Sequence, residues 1–275
     1  MKIRCIALDL DRTTLNGQGQ LSPGNRDALL YAISKGVHII IASGRAFTTL
    51  PEDVAGLPGV EYAITSNGAA VYHIPTQTCL HRYTMTPQSV DRILELNRSE
   101  GLPYEVFVEG TAYADAAYVA DPIGHGAAPR AVSYIQKTRH PVDGLESFIR
   151  SHREQLDSLD LVFSDAAYKP CFREKLLAEV PDIYVTSSVP ELLEISHRDA
   201  GKHSGVRFIA EHLGLSPAEI AAFGDGDNDA DMLTYVGCGI AMENGTEGCK
   251  AAADYVTLHH TQDGVAYGIR EILHI

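Results

Sequence analysis

Apolar residues fall in short runs separated by polar stretches, with the spacing of a chain that alternates strand and helix. Residues 3–8 form a β-prone apolar run. Ser22-Pro23 then sets a capping hydroxyl before a proline at the first helical position, and Ala28, Leu29, Ala32 and Ile33 recur at helical spacing up to Gly36. Residues 37–42 are almost continuously apolar, as in a strand covered on both faces. A further strand is predicted over 62–65, with Asn67-Gly68 turning the chain into 69–73. The same grammar returns later, as a helix over 206–212 and strands over 219–223, 239–242 and 255–258. Helices over 229–236 and 246–253 separate these strands, and the last dozen residues are again helix-like. Strand and helix in this order predict an α/β, Rossmann-like core built on a parallel sheet.

The middle of the chain reads differently. Thr86-Pro87 begins a helix marked by Val90, Ile93, Leu94 and Leu96 that stops at Gly101. Residues 104–108 and 111–114 flank Glu109-Gly110 as a hairpin, and 121–130 form a Gly/Pro/Ala loop. Helix–strand pairs follow around 143–156, 159–163, 171–179 and 183–187, and a strand over 192–195 closes the section. The expected organisation is an α+β insert, 84–196, within a core made of 1–83 and 197–275.

Composition narrows the function. Acidic residues outnumber basic ones 36 to 22, for a net charge of −14, which is not the electrostatic footprint of a nucleic-acid binder. No apolar run approaches the roughly 20 residues of a membrane helix. Lys2 and Arg4 lead straight into the first strand, so no secretory leader is expected. The five cysteines are scattered and never spaced as CxxC, which suggests reduced thiols and a cytoplasmic protein. The partner expected is therefore a small molecule rather than nucleic acid or membrane, bound by a monomer or small homo-oligomer.

Ligands of open α/β sheets gather at the carboxyl ends of the strands. Polar clusters sit at such places here: Asp9-Leu10-Asp11-Arg12-Thr13 after the first strand and Ser43-Gly44-Arg45 after the second. Gly201-Lys202 opens a helix behind the insert, and Gly224-Asp225-Gly226-Asp227-Asn228-Asp229 follows the strand over 219–223. Asp9, Asp11, Asp225 and Asp229 in one small space would repel one another unless a cation is present. Their oxygens, with no Cys or His at matching spacing, suit a hard ion such as Mg²⁺ that leaves positions for a phosphate.

Asp9-x-Asp11, Ser43-Gly44-Arg45, Lys202 and Gly224-Asp225-x-x-Asn228-Asp229 together resemble the haloacid dehalogenase-like phosphatases, and more narrowly the Cof-type subfamily with its large α+β cap. The stretches Thr65-Ser66-Asn67-Gly68-Ala69 and Asp231-Met232-Leu233 are similar to it too. The resemblance implies a phosphatase that forms an aspartyl-phosphate on Asp9, with Asp11 as general acid and then base. It implies Mg²⁺ held by Asp9, Asp11 (through its carbonyl) and Asp225. Phosphoryl oxygens would meet Leu10, Ser43, Gly44, Lys202 and Asn228, and Asp229 would orient Lys202 or a metal-bound water. Asn67 is a turn residue by its chemistry and a supporting neighbour of the site by the resemblance, and Arg45 of the core and Tyr113, Asp115 and His125 of the insert are candidates to face substrate. A small phosphorylated metabolite, by analogy a sugar phosphate, is the implied substrate.

Two positions depart from the pattern. Arg12 stands where the family has Gly, either as a solvated or salt-bridged residue on an ordinary backbone or as a guanidinium reaching a substrate anion. His203 follows Lys202 where Gly is usual, and no role is assigned to it. Two rival functions are a phosphosugar mutase of the same superfamily and a non-catalytic phospho-acceptor module resembling a signalling receiver. A P-loop kinase is excluded, since no GxxxxGK[ST] occurs.

Overall fold

The structure is a computed structural model that describes residues 2–275. The chain divides into two compact units, one running up to Arg45 and including Leu50–His81 and Gly201–Ile275, the other Ala46–Thr49 and Arg82–Ala200. The expected class, a parallel-sheet α/β core with an inserted α+β segment, is the one found.

The first unit begins with β1 (Cys5–Leu8), β2 (His38–Ala42), β3 (Val60–Thr65), β4 (Ala70–His73) and β5 (Thr78–Arg82). The second unit supplies β6 (Tyr104–Val108), β7 (Thr111–Asp115), β8 (His140–Val142), β9 (Leu156–Val162), β10 (Ile183–Thr186) and β11 (Leu192–His197). The chain then returns to the first unit with β12 (Ile220–Gly224), β13 (Cys238–Ala241) and β14 (Tyr255–Val256).

Eight strands of the first unit form one sheet in the order β14-β13-β12-β1-β2-β3-β4-β5. Pairing is parallel from β14 through β3, and β4 turns back antiparallel to β3. Alternation along each central strand splits the core in two. Ile6, Leu8, Ile39, Ile41 and Phe223 pack with Leu29 and Ile269 on one face. Ala7, Ile40, Ile64 and Ala222 pack with Val206, Ile209 and Leu233 on the other. Each fully buried Ile or Leu contributes roughly 1.5–3 kcal/mol, which is why these strands read as unbroken apolar runs.

The helix Pro23–Ser34 starts where the sequence predicts, with the Ser22 hydroxyl accepting the Asn25 N–H at 3.2 Å. Helix Pro87–Asn97 of the second unit is capped by Thr86 in the same way. That helix ends before Gly101, whose φ of +67 turns the chain instead.

The second unit has a six-stranded sheet, β10-β11-β9-β6-β7-β8, antiparallel except for the β7–β8 pair. Glu109 and Gly110 join β6 to β7, both at positive φ, as a type I′ hairpin turn requires. One sheet face packs Val106, Leu159, Leu161 and Ile195 against Ile93, Ile149 and Leu176 of three helices. On the other face Glu105, Asp160 and Glu194 stand in register across β6, β9 and β11, all buried. Arg139 and Tyr118 bond to Glu105, and Ser158 donates to Asp160. Burial, and then Glu194, pushes the Asp160 carboxyl well up.

Asp157, wholly buried beside this row, accepts the Gly110 N–H at 2.7 Å and lies 3.0 Å from Arg82 Nε. Burial outweighs both partners and raises its pKa from 3.8 to about 6. The folded state therefore binds this proton more tightly than the unfolded chain does. The stabilisation is complete below the unfolded value and is lost as pH rises through the folded one. Against Asp157→Asn, wild type is expected to lose as much as about 3 kcal/mol between pH 3 and 8. Melting curves across that range test this, and parallel pH dependences in the two proteins would refute it.

Several short elements were not predicted. Among them are β5, β8, and the helices Glu52–Ala55, Ala116–Ala120 and Val132–Thr138. Each is too short for its apolar period to register. No helix of the described residues is long and apolar enough to cross a membrane.

Candidate active site

The strand order of the first unit places the carboxyl ends of β13, β12, β1, β2 and β3 side by side. Register aligns Leu8 with Phe223 and with Ile41, so Asp9, Asp225 and Ser43 leave the sheet next to one another. The predicted clusters come together for that reason.

Lys202 is completely buried at the start of helix Lys202–Leu213. Its Nζ lies 2.7 Å from Asp9 Oδ1 and 2.6 Å from Asp229 Oδ1. Asp229 Oδ2 accepts the backbone N–H groups of Asp225 and Gly226, both at 2.9 Å, which ties down the loop after β12. Asp9, Asp225 and Asp229 bring carboxylate oxygens within 4.8 Å of one another.

Burial raises the Asp9 pKa well above the ordinary value, with Lys202 opposing and the two other carboxylates adding to the rise. Asp225 is pushed up to about 7 by burial and by Asp229, against Arg12, Lys202 and Thr13. Burial alone would lower the Lys202 pKa, but Asp229 and Asp9 outweigh it and hold the ammonium protonated. Such a cluster carries more negative charge than its buried lysine neutralises. Its all-oxygen donor set fits a hard divalent cation.

Asp11 takes a different partner from Asp9. It is half-exposed and gripped by the Arg45 fork, with Nε and Nη2 each 2.7 Å from a carboxylate oxygen. Arg45 thus meets Asp11. Leu10 turns its side chain into the core, leaving only its backbone for a ligand. Arg12 corrects one expectation: its backbone is not ordinary but left-handed, at φ 62° and ψ 13°. Its guanidinium reaches the Asn244 carbonyl and Asp225, the salt-bridged alternative.

The turn after β3 joins three of the motifs. Asn67 donates its backbone N–H to Ser43 O (3.1 Å) and accepts from Gly201 N (2.8 Å), and its side-chain oxygen accepts from Asn228 Nδ2 (2.9 Å). Ser66, Asn67 and Gly68 all hold positive φ. A Cβ on Gly68 would sit 2.0 Å from Gly201 O, so only glycine permits this approach. Beside it, Ser43 Oγ accepts the Arg45 N–H at 3.2 Å, and Gly44 lies between them.

Two neighbours were given no role from the sequence: Thr13, within the first polar cluster, and Asn244. Thr13 Oγ1 donates to Asp225 Oδ1 at 3.2 Å, and Asn244 Nδ2 lies 3.3 Å from Asp225 Oδ2. Asn244 follows a predicted strand just as the other clusters do, and that placement was the available signal. The three insert residues expected to face substrate have structural partners. Tyr113 packs between His140 and Phe148, Asp115 caps helix Ala116–Ala120, and His125 bonds to the Asp121 carbonyl.

Three carboxylates around a buried lysine stand at the strand ends of a parallel sheet, where such folds gather their ligands. Comparison with known proteins gives the family. The model of the haloacid dehalogenase-like hydrolases matches residues 6–269. Phosphatase YwpJ of Bacillus subtilis (strain 168) is 30% identical, over 98% of this chain and all of its own. Among solved structures, a haloacid dehalogenase-like hydrolase from B. subtilis superposes with a TM-score of 0.83 at 26% identity, covering 98% of this chain and 100% of that one. The subclass IIB sugar phosphatase BT4131 gives 0.82 at 21% identity, over 99% and 100%, a likeness of fold. The chain belongs to the haloacid dehalogenase-like hydrolase family and is a phosphatase of it. A receiver-like module is thereby set aside.

Proposed function

We propose that this chain is a Mg²⁺-dependent phosphomonoesterase that hydrolyses a small phosphorylated metabolite, a sugar phosphate, through an aspartyl-phosphate on Asp9. The observation that carries this is Lys202 buried between Asp9 and Asp229 with Asp225 alongside. Asp9, held by Lys202 through Oδ1, is the carboxylate that attacks phosphorus. Asp11 serves as general acid and then base once it leaves the Arg45 fork, which holds both its oxygens as a carboxylate, and takes up the proton that it passes to the leaving alkoxide. Ser43 Oγ, Asn228, Lys202 and the backbones of Leu10 and Gly44 bind the phosphoryl oxygens. Asp229 positions Lys202. Asp9, the Asp11 carbonyl and Asp225 would hold the Mg²⁺, which supplies charge stabilisation for the transferring group.

The first unit acts as catalytic core and the second as a substrate-selecting cap, in line with the insert at 84–196. The sugar phosphate follows the named activity of the subclass IIB neighbour. Five free cysteines support a cytoplasmic setting.

Hydrolysis of p-nitrophenyl phosphate, followed as inorganic phosphate, tests this reading. Turnover is expected to fall at least about a hundredfold in EDTA and to return with excess Mg²⁺. Full activity in EDTA would rule out the metal. Transfer of phosphate to a sugar without release of inorganic phosphate would favour a mutase. A panel of sugar phosphates then addresses the substrate.

A further inference from the structure

Arg12 holds a left-handed backbone, φ 62° and ψ 13°, that residues bearing a Cβ adopt at a cost. Its side chain makes specific use of the position. Nη2 donates to the Asn244 carbonyl at 3.2 Å, and Nε lies 3.5 Å from Asp225 Oδ2. Asn244 returns the contact, donating Nδ2 to the Arg12 carbonyl at 2.9 Å and lying 3.3 Å from the same Asp225 oxygen. Arg12, Asn244 and Asp225 therefore close a ring. The other Asp225 oxygen is taken by Thr13. One carboxylate of the acidic cluster thus carries a permanent organic cation, because a guanidinium keeps its charge at any working pH.

We propose that Arg12 is a built-in counter-cation of the acidic cluster, holding Asp225 in position before any metal ion arrives and weakening the affinity of the site for a divalent one. The inference rests on the metal reading above. Physically, a divalent ion entering beside Asp225 meets a carboxylate whose charge is already partly neutralised, and it also meets the repulsion of the guanidinium. Arg12 is a positioning residue in this scheme, since it acts through Asp225. Its half-exposed side chain is open to screening, so the effect is salt-dependent.

The test is Mg²⁺ titration by calorimetry on the full chain, without substrate, for wild type, Arg12→Gln, Arg12→Lys and Arg12→Gly. Gln keeps the backbone strain and a donor for Asn244 but removes the charge; Lys keeps the charge. The expected result is about tenfold tighter Mg²⁺ binding in the Gln and Gly variants, with Lys close to wild type. The difference should shrink as KCl is raised from about 0.05 to 0.5 M. Equal affinity in all four proteins would overturn the proposal and leave the metal site standing. So would tightening in Gly alone, which would make the effect one of backbone strain. An unchanged affinity with a raised KM in Arg12→Gln would reassign the guanidinium to a substrate anion. No Mg²⁺ binding by any of the four would refute the metal reading itself.

Discussion

Asp9→Asn is expected to yield a folded protein whose phosphatase activity is at least about four orders of magnitude below wild type. The side chain keeps its shape, and an amide oxygen still accepts from Lys202 Nζ where Oδ1 does now, at 2.7 Å. What disappears is the anionic oxygen that attacks phosphorus in the proposed mechanism. Stability moves the other way or not at all. Burial already penalises the ionised Asp9 carboxyl, and a neutral amide carries no such penalty. The variant should therefore melt at or above the wild-type temperature while showing no turnover of p-nitrophenyl phosphate and no acid-stable labelling by phosphodonor. Activity within tenfold of wild type, in a sample freed of contaminating phosphatase, would remove Asp9 from the chemistry. A large fall in melting temperature would instead mean that the loss reflects misfolding.

Lys202→Met has the opposite signature, since it damages both fold and function. The ammonium is fully buried and is the cation that joins Asp9 to Asp229. Its removal strands two buried carboxylates, and breaking a buried ion pair from one side typically costs about 3–5 kcal/mol. For a chain of this size that corresponds to a drop of roughly 5–9 °C in melting temperature. Turnover is expected to fall by a further factor of about 10²–10³ in any protein that remains folded, through the lost phosphoryl contact. The double variant Lys202→Met/Asp229→Asn separates the two effects. It relieves one stranded charge and should recover part of the stability without recovering activity. A Lys202→Met protein that melts with wild type would show that the pair contributes nothing to the fold.

What the sequence discloses and what it withholds follow the range of the interactions. Ser22-Pro23, Gly36 and the run over 37–42 act locally, and the elements they predict are present. The motif residues were legible because Asp9, Asp11, Ser43 and the loop over 225–229 follow their strands directly in sequence, while Lys202 opens a helix. Their convergence needs the strand order β13-β12-β1-β2-β3, which the parallel pattern supplies only in outline. The roles of Asn244 and Thr13 are hidden for a different reason: they lie in contacts to Asp225 that span 19 and 212 residues. The partner of Arg45 was equally non-local, 34 residues away at Asp11. Arg12 shows the limit of reading by residue type, since nothing in an arginine announces a positive φ. The row of Glu105, Asp160 and Glu194 depends on antiparallel register in the second unit, and register is a tertiary property.

The hydrogen bond from Gly201 N to Asn67 O, with Gly68 packed against the Gly201 carbonyl, has a consequence for how the chain can vary. It fastens the point where the polypeptide re-enters the first unit to a turn that was completed before the polypeptide left. Lys202 is the next residue, so its placement owes little to the 119 residues from Arg82 to Ala200. That stretch can be lengthened, shortened or exchanged while the lysine stays in register with Asp9.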